Sequence, residues 1–146
     1  MWKLVTAAVL LELASPAHTL TVRVRGMPTR RPTGSCLFLI RARAVGGGTQ
    51  TTCITKLDGF PGPHATIRSE ATMTFGVRAG AIRTRVSITQ RFSADGVHAH
   101  QALRGLISGG TGRYQRARGT ISGGGPVTDR RARLGPVDLR YTLSLR

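Results

Sequence analysis

The sequence predicts an all-β protein of a single domain, and three observations carry that expectation. Apolar residues recur at every second position in run after run. Glycine-dense or Asp-Gly turns separate the runs, and no segment of the mature chain longer than about ten residues shows helical periodicity. At 146 residues the chain can build one modest core and not two. The strand count reaches about eight, which is compatible with an antiparallel barrel or a two-sheet sandwich.

Residues 1–17 read as a secretory signal peptide. Lys3 gives a minimal positive start, Leu4–Leu11 is an apolar run, and Ser15 and Ala17 supply small residues for cleavage. The run is too short for a stable membrane anchor, so the expectation is a secreted, extracellular domain over residues 18–146.

Leu20, Val22 and Val24 alternate with Thr21, Arg23 and Arg25 as a half-buried first strand. Gly26–Gly34, with two prolines and two bounding glycines, reads as a loop. Cys36–Ala44 and Thr49–Lys56, joined by Gly46-Gly47-Gly48, read as a hairpin with one cysteine in each arm. In an exported chain two cysteines so placed are expected to form one disulfide, Cys36–Cys53, with two separate buried thiols as the alternative. Asp58–Pro63 is turn-rich. Beyond it Ile67, Ala71, Met73, Phe75 and Val77 share one face, and Ile82, Val86, Ile88 and Phe92 form the next apolar row. Ala94-Asp95-Gly96 marks another hairpin. Val97–Ser108 leads into a glycine-rich turn, Arg116–Ser122 leaves it, and Gly123–Gly135 reads as a basic, glycine-rich loop. Val137, Leu139, Tyr141, Leu143 and Leu145 close the chain as a last alternating strand.

The glycine-rich turn is the most distinctive stretch: Gly109-Gly110-Thr111-Gly112-Arg113-Tyr114-Gln115-Arg116-Ala117-Arg118-Gly119. A phosphate loop would need Lys-Ser/Thr and a helix after the glycines, and neither follows. The stretch resembles the Gly-Gly-Thr-Gly-x-(Tyr/Phe)-x-x-Ala-Arg-Gly motif of the allene oxide cyclase and dirigent superfamily, especially its small secreted bacterial members. Its matching residues are Gly109, Gly110, Thr111, Gly112, Tyr114, Ala117, Arg118 and Gly119. The resemblance implies a single eight-stranded antiparallel β-barrel, and cysteine pairs in the same region of those relatives support the bridge. In dirigent proteins, charged barrel residues guide radical coupling or quinone methide cyclisation. Here Arg118 holds the motif's arginine, but Gln115 stands where plant members often have a basic residue, and their paired acidic strand signature is absent.

Candidate site residues are the polar side chains that interrupt apolar rows, because an inward polar group is costly unless it bonds to something. Ser69, Gln90, Gln101 and Tyr141 do so. They either satisfy one another and the backbone or orient a carbonyl, epoxide or hydroxyl in an apolar cavity. Of the carboxylates after the leader, Asp58 and Asp95 fall in turns, Asp129 in the glycine-rich loop, and Glu70 and Asp138 at outward positions, so a glycosidase pair is not expected. His98 and His100 have no third ligand nearby in sequence, and no metal or organic cofactor is called for.

The leading functional expectation is a protein that binds a small apolar molecule and directs its cyclisation or isomerisation. The alternatives are a cofactor-free cyclase or isomerase of secondary metabolism and a cationic surface-interaction protein with a filled barrel. The formal charge of +16 suits an anionic surface or polysaccharide. A GC-rich coding sequence would produce the same abundance of Arg, Ala, Gly and Pro. With aromatics at 5% and no reading motif, specific nucleic-acid binding is not expected, and a homo-oligomer is left open.

Overall fold

The computed structural model describes residues 18–130 and 133–146; the signal peptide expected over residues 1–17 lies outside them. The described chain forms ten strands: β1 (His18–Gly26), β2 (Thr29–Arg31), β3 (Phe38–Arg43), β4 (Thr49–Asp58), β5 (Thr66–Val77), β6 (Gly80–Phe92), β7 (His98–Gly110), β8 (Gly119–Arg130), β9 (Arg133–Leu134) and β10 (Val137–Leu145). A single 3-10 turn, Gly112–Tyr114, interrupts the β7–β8 connection. All strand pairings among the described residues are antiparallel, and the sheet order is β1-β10-β8-β7-β6-β5-β4-β3-β2, with β9 beside β8.

The expectation of a closed eight-stranded barrel is corrected here. The sheet is open and curls into a half-barrel of ten strands. Its two flanks meet at one bridge, Val24 with Ala44, supported by the Val45 N–H donating to the Arg23 carbonyl at 2.8 Å. The alternation of side chains specifies which face is buried, but not whether the edges of a curled sheet become paired along their length.

A second correction concerns Gly123–Gly135. Instead of a loop, its first part continues β8 to Arg130. Gly123 adopts φ +147°, and a Cβ there would come within 2.0 Å of the Arg140 carbonyl on β10, so only glycine permits this approach of the two strands. The expected loop at Gly26–Gly34 likewise contains the short strand β2.

The register stacks inward residues into layers. Phe75 with Ile82, then Met73, Thr84 and Ile107, then Ala71, Val86, Ile121 and Leu143 fill one half of the interior. Phe75 meets Tyr141 edge-on, with centroids 5.7 Å apart, and the fully buried Thr84 satisfies its hydroxyl by donating to the Met73 carbonyl at 3.1 Å. The Cys36–Cys53 disulfide is formed and ties the β2–β3 connection to the outer face of β4.

Candidate functional site

The next two layers hold all four sequence-derived site residues. Ser69, Ile88, Leu103, Gly123, Tyr141 and Val22 form one by register, and Ile67, Gln90, Gln101 and Gly125 form the other. Here the interior is not filled. A cavity of about 240 Å³ opens between the layers and the mouth of the half-barrel, and Ser69, Gln90, Gln101 and Tyr141 all line it. Most of its wall is apolar, from Val24, Phe38, Ile40, Ile54, Ile67, Ile88, Val127 and Leu139.

Three of the four polar residues form one chain of bonds. Gln90 Nε2 donates to Gln101 Oε1 at 2.9 Å, and Gln101 Nε2 donates to the Tyr141 hydroxyl at 3.3 Å. Gln90 and Gln101 are direct cross-strand partners on β6 and β7, whereas Tyr141 lies on β10, beyond β8. The residues of β8 paired with Gln101 and Tyr141 are Gly125 and Gly123, so no β8 side chain stands between them. Burial pushes the Tyr141 hydroxyl well above its ordinary pKa, with the Gln101 bond opposing more weakly, so it stays a neutral hydroxyl.

The cavity also contains polar residues that the alternation did not reveal. Gln50 and Thr52 of β4 are buried in its wall, with Gln50 Nε2 donating to Thr52 Oγ1. More consequential is Asp129, expected in a loop but found on β8, with its side chain 8% exposed. Arg30 Nη1 lies 3.6 Å from Oδ2, while Oδ1 is buried without a hydrogen-bond partner. Arg30 itself stacks over Phe38 at 5.3 Å. Burial raises the Asp129 pKa, and the Arg30 charge and hydrogen bond pull the other way. A carboxyl so placed can hold a proton that a surface aspartate would have lost.

The remaining sequence candidates lie elsewhere. The motif residues from Gly109 to Gly119 form the β7–β8 turn at the far end from the cavity mouth, where Arg118 is exposed and Nη1 donates to the Ala117 carbonyl at 2.8 Å. Both His98 and His100 face solvent, and His98 Nδ1 bonds Asp95 Oδ2. Asp95 also accepts from the Val97 and His98 amides, which hold its carboxyl well below the usual range. Among the described residues no three His, Cys, Asp or Glu side chains converge as metal ligands. No helix among them is long and apolar enough to cross a membrane.

Fold and site together define an antiparallel half-barrel with a mostly apolar internal cavity, a neutral hydrogen-bonding chain and one buried carboxyl. No protein-family model, curated protein or solved structure matches the chain.

Proposed function

We propose that this protein binds a small, uncharged, largely apolar molecule carrying one hydroxyl or carbonyl, and that it directs the cyclisation or isomerisation of that molecule without a cofactor. The observation that carries the reading is the convergence of Ser69, Gln90, Gln101, Tyr141 and Asp129 on one cavity whose wall is otherwise mainly apolar. An apolar cavity of about 150 Å³ takes benzene, so about 240 Å³ suits on the order of ten non-hydrogen atoms. That is a ring with a short substituent, smaller than a long flexible polyene.

In this reading the Gln90–Gln101–Tyr141 chain fixes the ligand oxygen by neutral hydrogen bonds, which strengthen where water is excluded. A protonated Asp129 donates to that oxygen as a bond rearranges and recovers a proton at the end, so an isomerisation consumes none. The Gly109–Gly119 motif and the near-meeting of the β1 and β3 flanks favour kinship with the allene oxide cyclase and dirigent-like barrels. A disulfide suits an oxidising, extracellular location. A cationic surface protein with a filled interior is the weaker reading, because the cavity is present.

The test is fluorescence titration with 1-naphthol, an uncharged ligand of eleven non-hydrogen atoms. At about 0.5 kcal/mol per atom the expected Kd is on the order of 0.1 mM. Naphthalene, lacking the hydroxyl, should bind more weakly, and Tyr141→Phe or Gln101→Met should erase the difference. Equal binding of both ligands by the wild type, or no binding, refutes the anchoring role. For the chemical step, a short unsaturated epoxide should give stereochemically enriched product that falls to the buffer ratio with Asp129→Asn.

A further inference from the structure

Among the described residues, basic side chains are spread along the strands, but the acidic ones are confined to one end. Every Asp and Glu among the described residues lies toward the cavity-mouth end. Asp58 ends β4, Asp95 sits in the β6–β7 turn, Asp129 is next to last in β8, and Asp138 is second in β10. Glu70, the fifth residue of β5, is the farthest from that end. The opposite end, where β5 turns into β6, β7 into β8 and β10 stops, carries exposed Arg78, Arg83, Arg113, Arg116, Arg118 and Arg146 and, among the described residues, no acidic side chain. A composition-wide excess of arginine would not by itself keep acidic side chains away from one end.

Two of these arginines converge. The ideal Cβ position at Gly109 lies 3.4 Å from Arg118 Nη1 and 3.8 Å from Arg83 Nη2, so both guanidiniums flank one glycine whose missing side chain leaves the space between them open. The register extends the site across the outer face: Arg41, Thr51, Thr74, Arg83 and Gly109 are successive cross-strand partners. With strands about 4.8 Å apart, Arg41 lies roughly 14 Å from Arg83, with two threonine hydroxyls between them.

We propose that this end of the molecule is a docking surface for a linear polysaccharide bearing carboxylate or sulfate groups. The planar guanidinium fork matches such groups with paired hydrogen bonds, and the Arg83–Arg118 pair concentrates two forks on one anionic group. Thr51 and Thr74 donate to and accept from the sugar hydroxyls between charged units. Nucleic acid is the poorer partner because single strands need aromatic stacking platforms. Tyr114 is half-buried in the turn, and Phe60, 83% exposed, belongs to the β4–β5 connection at the cavity-mouth end.

Binding of polygalacturonate and dextran sulfate at 0.15 M salt, measured by titration calorimetry, tests the proposal, with neutral dextran as the blank. Arg83→Gln/Arg116→Gln/Arg118→Gln should weaken binding about tenfold. Arg68→Gln/Arg91→Gln/Arg140→Gln, which removes the same charge from exposed positions nearer the other end, should change it less than about twofold. Circular dichroism checks that both variants keep the strand spectrum. Equal loss in the two variants shows that net charge alone drives binding and overturns the site. Tighter binding of oligothymidylate or phosphatidylserine vesicles than of both polysaccharides overturns the partner, and absence of polysaccharide binding overturns the proposal outright.

Discussion

Replacing both bridged cysteines, Cys36→Ser/Cys53→Ser, tests how much of the cavity wall depends on a covalent tie. The bridge closes a loop of sequence separation 17. On the chain-entropy account, releasing it gives the unfolded ensemble about 3 kcal/mol of freedom. For a domain of this size that corresponds to a fall in Tm of about 10 °C. The loss should be local as well as global. Between β2 and β3 the loop is otherwise held by few bonds, such as Leu37 N–H to the Ile54 carbonyl at 2.8 Å and Cys36 N–H to Thr33 Oγ1 at 3.2 Å. Arg30, Phe38 and Ile40 flank it and line the cavity, so amide exchange in β2 and β3 should quicken more than in β6 and β7. Thermal and urea unfolding followed by circular dichroism, with and without reductant, is the assay. Wild type in reductant should match the variant. A Tm loss below about 3 °C, or a gap between the two that persists in reductant, refutes the reasoning, because the effect would then not come from the bridge.

The raised pKa of Asp129 gives a pH test whose sign is fixed. The folded protein keeps this proton at pH values where the unfolded chain, near the ordinary 3.8, has lost it. Stability contributed at this site is therefore full below about pH 4 and declines as pH rises through the folded pKa. Asp129→Asn cannot ionise, so its Tm advantage over wild type should grow from pH 3.5 to pH 7; an advantage that shrinks with pH would mean that the Arg30 charge dominates. Gly123→Ala, which places a methyl 2.0 Å from the Arg140 carbonyl at φ +147°, should cost about 3 kcal/mol or more. A urea-denaturation loss below about 1 kcal/mol would show that β8 and β10 can move apart.

Much of the site was legible because inward polar residues stand out against regular apolar rows. Ser69, Gln90, Gln101 and Tyr141 were found that way, and the register then set them in two adjacent layers. Gln50 and Thr52 escaped because they begin their row: two polar residues ahead of Ile54 look like a solvated face until the strand is seen to point inward. Asp129 escaped for a different reason. Gly123-Gly124-Gly125-Pro126 has no side-chain alternation, and a run of glycines signals a loop unless neighbouring backbones close in on it, which is a tertiary property. The bridge of Val24 to Ala44 was equally invisible, since it joins residues whose local patterns say nothing of each other.

The pairing of β1 with β10 over nine residues sets the order in which this chain can become a protein. The hairpins from β3 to β8 are built from near neighbours and can form early, but β1 pairs along its length with the last strand, Val22 with Tyr141 and Val24 with Leu139, and meets the other flank at the Val24–Ala44 bridge alone. Until that strand arrives, the hydrogen-bonding edge of β8 stays bare and the tyrosine end of the cavity does not exist. Contacts between the two ends of a chain are the slowest to form, because the whole intervening loop must close first. Folding should therefore be late and concerted, and loss of the last few residues should abolish the cavity along with the edge of the sheet.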